Sequence, residues 1–315
     1  MDPQAALQVL TEACHELADS NSQRAHAVLQ DFRDADRPYE LLKYAIEHGE
    51  PVVQFHAVTA LRDAAMREFD HGLTQSEKLS LVEWLLSKSL TVSGLVRRQM
   101  SGSMALILKR MWGTLDAARK EGLLRHVAEA GDTELMQAIV VEFNPYTTSA
   151  IGVMSWEYHY ACKLDLEASF LPQILSWTLE CVRGSDPARV ASSLRLLSAL
   201  LLWDHNTSYI KGAVVELSVR PPENWREILL SMDAGLYGVM EGVRGRVSAG
   251  TAGDVAVSSE KQAYLQVVNN LASMHGRIFG DERGPGGHKV QHVAHMLKLL
   301  LPELLAMQQF SELGD

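Results

Sequence analysis

His288, His292 and His295 are spaced by four and then three residues, which sets three imidazoles on one face of a helix, where a divalent metal could be held. No carboxylate falls on that face to complete a ligand shell. The segment runs on as the apolar positions Met296, Leu299 and Leu300, so a polar helix face is the expectation. Cys162 follows His159 as a thiol follows its base, but both fall in the helix-like stretch Trp156 to Leu164, which predicts a packed cysteine. Gly284 to Lys289 is glycine-rich and ends in lysine, yet it has neither the spacing of a phosphate-cradling loop nor a strand leading into it. No GxSxG element is present. The residues thus offer no recognisable catalytic site, and no cofactor or metal is expected.

The 315 residues are 47% hydrophobic and 22% charged with 10 prolines, the balance of a chain that folds. A net charge of −10 disfavours a nucleic-acid binder, because phosphate contacts need clustered Lys and Arg. Cys14, Cys162 and Cys181 show no CxxC spacing, which fits neither a disulfide framework nor a zinc site and predicts a reducing compartment. The N-terminus reaches Glu12 and Glu16 without a basic start or an apolar run, so a secretory signal is not expected. The greasiest stretches, Leu194 to Trp203 and Met296 to Met307, are shorter than the ~20 residues a bilayer demands, so no membrane insertion is expected.

The elements that carry these residues read as helices. Leu7, Leu10, Cys14 and Leu17 make one stripe, and Ala25, Val28, Leu29 and Phe32 make another after the capping types Asp19 to Asn21. A second pair places Leu41, Leu42, Ala45 and Ile46 before a turn at Gly49 to Pro51 and Val53 to Phe69 after it; a third begins at Thr74. Leu41-Leu42 corresponds to Leu85-Leu86, and Val53 and Val96 lie 43 residues apart, within the period of about 40 to 47 expected of HEAT and armadillo repeats. The expectation is an all-α HEAT-repeat α-solenoid. Residues 1–113 form N-terminal repeats, and 114–315 continue the array with pairs at Leu115 to Phe143 and Leu164 to Trp203. Loops are expected near 144–155, 244–258 and 280–287, and further helices near Trp225 to Val243, Ser259 to His275 and His288 to Met307.

Such arrays work through long exposed helix faces. At about 100° per residue, Val53, Ala57, Ala60 and Ala64 form one core stripe and leave Phe55, Thr59, Arg62 and Met66 opposite. Val96, Met100, Ser103 and Ile107 form the next, leaving Arg98, Gly102, Ala105 and Lys109 opposite. An aromatic, a methionine and several cations on one ridge suit a protein partner.

Several segments resemble a known family. They are Gln23 to His26 with Phe32-Arg33, Phe55 to Glu68, Val96 to Arg110, Ser149 to Gly152, Leu201 to Asp204, Glu223 to Leu230 and Leu271 to Glu282. Together they resemble the nuclear transport receptors of the importin-β superfamily, in order along nearly the whole chain. The resemblance implies a nuclear export receptor that binds the small GTPase Ran in its GTP state through inner helices of the N-terminal repeats. It also implies contact with phenylalanine-rich repeats of nucleoporins, carriage of protein cargo, and shuttling between nucleus and cytoplasm. The ridge Phe55, Thr59, Arg62, Met66, Arg98 and Lys109 is the expected Ran surface, with Gln30 as the matching position in the first pair. Members of the family are far longer, so the chain reads as an N-terminal portion, with cargo-binding repeats outside it. The alternative is a generic HEAT scaffold for other proteins.

Overall fold

The computed structural model describes residues 2–19, 22–92, 94–150, 152–205, 236–249 and 255–278. Among them there is no strand, and helices occupy nearly every stretch. The chain is an all-α helical repeat protein. It divides into two compact units, Met1–Glu142 and Phe143–Asp315.

The first unit begins with α1 (Pro3–Asp19), α2 (Gln23–Asp34), α3 (Tyr39–His48), α4 (Pro51–Glu68), α5 (Gln75–Ser89) and α6 (Gly94–Met111). A single 3₁₀ turn, Trp112–Thr114, leads to α7 (Ala117–Glu129) and α8 (Thr133–Phe143). Within it, α1 packs on α2 and α3, α3 packs on α4, and α4 lies between α2 and α6, with α5 against α6. That is helix pairs stacked side by side, each burying an apolar face no single pair could hide. The 43-residue spacing marks the core: Leu42 and Leu85 are fully buried, as is Val53, and Val96 nearly so. Each such side chain withdraws enough apolar surface to stabilise the fold by about 1.5–3 kcal/mol.

Local chemistry sets the helix ends. Ser22 caps α2, its hydroxyl accepting from the Ala25 N–H at 3.3 Å, one residue beyond the expected Asp19 to Asn21. Thr74 and Glu77 form a capping box on α5. The turn into α4 depends on Gly49: a Cβ there would lie 2.5 Å from the Ala45 carbonyl oxygen and 2.9 Å from Val53 Cγ1. Pro51 then opens α4, where a missing N–H costs nothing.

The expected boundary at 113/114 falls on the 3₁₀ turn, but the compact unit extends to Glu142 because polar bonds tie α8 back to the third pair. Arg97 pairs with Asp132 at 2.9 Å, and Asp132 also caps α8 by accepting from the Leu135 N–H at 3.0 Å. The Lys109 ammonium donates to the Glu142 carbonyl at 2.6 Å.

The second unit contains the turns of 144–155, then α9 (Trp156–Ser169), α10 (Leu171–Val182), α11 (Pro187–Leu201), α12 (Leu236–Ala249) and α13 (Val255–Ile278). The pair expected between Leu164 and Trp203 is α10 and α11, and the helix-like stretch Trp156 to Leu164 runs on to Ser169 as α9. The chain leaves helical geometry at Phe170, Pro172 restarts it as α10, and Pro187 opens α11 under an Asp186 cap. α13 packs extensively on α11, and α10 contacts α9, α11 and α12. Of the loop expected near 244–258, residues up to Ala249 belong to α12 and those from Val255 to α13, and 250–254 lie outside the described residues. The loop expected near 280–287 lies outside the described residues.

Candidate functional site

The α4 and α6 helices pack directly together, so their outer faces are neighbours. Gln99 Nε2 donates to Thr59 Oγ1 at 3.0 Å, and Thr59 in turn donates to the Phe55 carbonyl at 2.9 Å. Thr59 is therefore buried and serves as a rivet between the two helices rather than as a contact residue. Phe55 is half-buried, its ring edge-on to His56 at 5.6 Å. Burial, with the Arg33 guanidinium as the lesser cause, holds the His56 imidazole below its ordinary proton affinity.

Arg62 reaches Asp63 Oδ1 with Nε at 2.9 Å and Nη2 at 2.7 Å, so much of its charge is answered within its own helix. Met66 is half-buried, and its carbonyl accepts from Arg110 Nη1 at 2.5 Å, with Sδ 3.7 Å from the same nitrogen. Arg110 continues to Asp70 at 2.8 Å and lies 4.9 Å from the centre of the Phe69 ring. On α6, Arg98 has a side chain 71% exposed and comes only within 3.9 Å of Glu134. Gln30 is exposed on α2 and donates to Asp34 at 3.0 Å.

Lys109 departs from the expectation. Its side chain is fully buried, with the ammonium on the Glu142 carbonyl, so it lies in the core and not on a partner-facing ridge. Ala105 is buried as well, whereas Gly102 is exposed. The second half of α6 is enclosed on both sides, which a wheel drawn for one helix pair could not reveal. What remains at the surface is Phe55, Arg62, Met66 and Arg98, with Gln30 on α2.

Two apolar residues that the wheel passed over extend this surface. Val52, 39% exposed, opens α4, and Leu95, 60% exposed, opens α6. They too are 43 residues apart, as are Phe55 and Arg98. Their signal in the sequence is the repeat spacing, since both lie in the first turn of their helices, N-terminal to the core stripes that begin at Val53 and Val96.

Chemistry at the remaining candidates is limited. Cys162 and His159 are both buried on α9, and burial also pushes the Cys14 and Cys181 thiols above their ordinary range. Among the described residues no cluster of metal-binding side chains occurs, and His288, His292 and His295 lie outside them. No helix among the described residues is long and apolar enough to cross a membrane. No family model matches the chain.

Proposed function

We propose that the chain is a nuclear export receptor of the importin-β superfamily, or an N-terminal portion of one, and that it binds Ran in its GTP state through the outer faces of α4 and α6. The resemblance is greatest to exportin-4, on the segments around Trp225 and Ser273 to Gly276. In this reading the chain takes part in nucleocytoplasmic protein transport, passes between nucleus and cytoplasm, and meets nucleoporin phenylalanine repeats. Protein cargo is a further partner in this reading.

The observation that carries the reading is the pairing of Phe55 with Arg98 at equivalent positions of two packed helices, flanked by the equally spaced Val52 and Leu95. An aromatic on one helix and an exposed guanidinium at the equivalent position of the next would supply buried area and a charge for steering, which protein interfaces use in common. The test is binding of purified chain to Ran loaded with a non-hydrolysable GTP analogue or with GDP. Selective binding to the GTP form, weakened about tenfold or more by Phe55→Ala or Arg98→Glu, is the expected result. Equal binding to both forms, or none, would leave a generic HEAT scaffold as the better reading.

A further inference from the structure

The α2–α3 turn holds the one residue other than glycine that has positive φ among the described residues, Arg37 at 45°. Glycine would adopt that geometry without steric conflict, so an arginine is kept there against the preference of its own backbone. Its contacts all lie far along the chain. The Arg37 N–H donates to Glu68 Oε1 at 2.8 Å, Nη1 donates to the Gly72 carbonyl at 3.0 Å, and Nη2 reaches Glu77 Oε1.

Both acceptor carboxylates already have structural duties. Glu68 ends α4, is joined by Arg67 at 3.2 Å, and faces the Tyr39 hydroxyl, whose proton burial and that carboxylate hold more tightly than usual. Glu77 accepts from the Thr74 N–H and from the Thr74 hydroxyl, each at 2.8 Å, closing the capping box of α5. Arg37 thus touches the last turn of α4, the connecting loop and the first turn of α5. The equivalent turn one repeat later, between α4 and α5, runs from Phe69 to Thr74 and contains no arginine.

We infer that Arg37 is a clasp: it fixes the junction between the second and third helix pairs, and releasing it loosens the end of α4 and the start of α5 together. Repeat arrays are held by nearest-neighbour interfaces, so one residue that joins three consecutive segments governs whether that junction opens as a unit. The arm to Glu77 joins two half-exposed charges and is screened by salt, whereas the arm to the Gly72 carbonyl is not an ion pair. The clasp stands apart from the partner reading above, and its test needs no partner.

Hydrogen exchange on the full chain reads it directly. The Gly72 and Leu73 amides donate to the Glu68 carbonyl, and those of Glu77 and Lys78 donate to Thr74. Arg37→Ala is expected to speed exchange at all four by about tenfold while α1 keeps its rates. Arg37→Gly, which lacks the side chain but suits the backbone, should fall between Arg37→Ala and the parent chain. Glu77→Gln guards against a simple folding failure, because its amide oxygen can still accept from Thr74. It should speed exchange of the Arg37 amide by about threefold although that amide is bonded to Glu68, and high salt should do the same to the parent chain. Exchange at residues 72–78 within about twofold of the parent in Arg37→Ala, slower exchange in Arg37→Gly, or an Arg37 amide indifferent to Glu77→Gln would each overturn the clasp. If Arg37→Ala loosens every amide alike, Glu77→Gln decides.

Discussion

Arg67 on α4 and Arg110 on α6 stand 43 residues apart and reach back in the same way to the end of the second helix of the preceding pair. Arg67 donates to the carbonyls of Arg33 and Ala35 at 2.6 Å each, and Arg110 donates to that of Met66 at 2.5 Å. The carbonyls at a helix C-terminus have no partner within the helix and carry its negative pole, so a guanidinium satisfies both needs. The period found in the apolar residues is therefore repeated in the polar joints. Arg110 is the more enclosed of the two, and its removal leaves Asp70 without its cation. Arg110→Ala should lower the unfolding free energy by about 1–3 kcal/mol, and Arg110→Lys, with a single donor centre, should recover only part of it. Urea denaturation at equal m-value checks both.

Lys109 provides a contrast between core and contact. A fully buried ammonium on a carbonyl is stable only while its donors are met, so deleting it costs more than exchanging its length for an apolar chain. Lys109→Ala should destabilise the first unit by about 2–4 kcal/mol, and Lys109→Met should cost distinctly less. In Lys109→Met that remains folded, partner binding should match the parent chain, whereas Arg98→Glu should weaken binding without moving the thermal midpoint. A Lys109→Met protein with parental stability and lost binding would return this residue to the ridge.

The pattern of Val53, Ala57, Ala60 and Ala64 needed only helical periodicity to be read as core, and the spacing from Val53 to Val96 was enough for stacked pairs. The exposure of Arg98 and the partial exposure of Phe55 were likewise legible, because each lies opposite a continuous apolar stripe. Thr59 and Lys109 were not, since their burial comes from Gln99 on the neighbouring helix and from the Glu142 carbonyl 33 residues later. A single-helix wheel has no term for either. The end of α9 was hidden for another reason: α9 and α10 meet at Phe170 with almost no loop, so the usual turn residues are missing.

Gly49 offers a sharper test of the second pair. Its φ is ordinary, and what excludes a side chain is space, between the Ala45 carbonyl oxygen and Val53. Gly49→Ala must shift backbone or a core valine, so it should cost about 1–3 kcal/mol despite the gain in chain stiffness that alanine usually brings. Chemical denaturation measures it, and a stability equal to or above that of the parent would show that the α3–α4 turn opens freely.

Acid stability should be governed first by histidine. His205 follows Trp203, whose indole donates to Glu167 at 3.0 Å beside the Lys163–Glu167 pair. Burial, with the Lys163 ammonium adding to it, pushes the His205 imidazole from 6.5 down to about 3. The folded chain keeps this ring neutral while the unfolded chain takes up a proton near 6.5. The stability it protects is therefore complete above that pH and is lost progressively as pH falls toward about 3. His56 shifts in the same direction. The Glu47 and Glu77 carboxylates lie below their ordinary 4.5, so their contribution is lost only in stronger acid and leaves the window between pH 5 and 6.5 to the histidines. Between pH 7 and 5 the unfolding free energy should fall with a slope approaching about 1.4 kcal/mol per pH unit for each proton, and His205→Gln should flatten it by one proton's share. An unchanged slope in His205→Gln would mean that this ring is already charged in the folded protein, with Lys163 displaced from it.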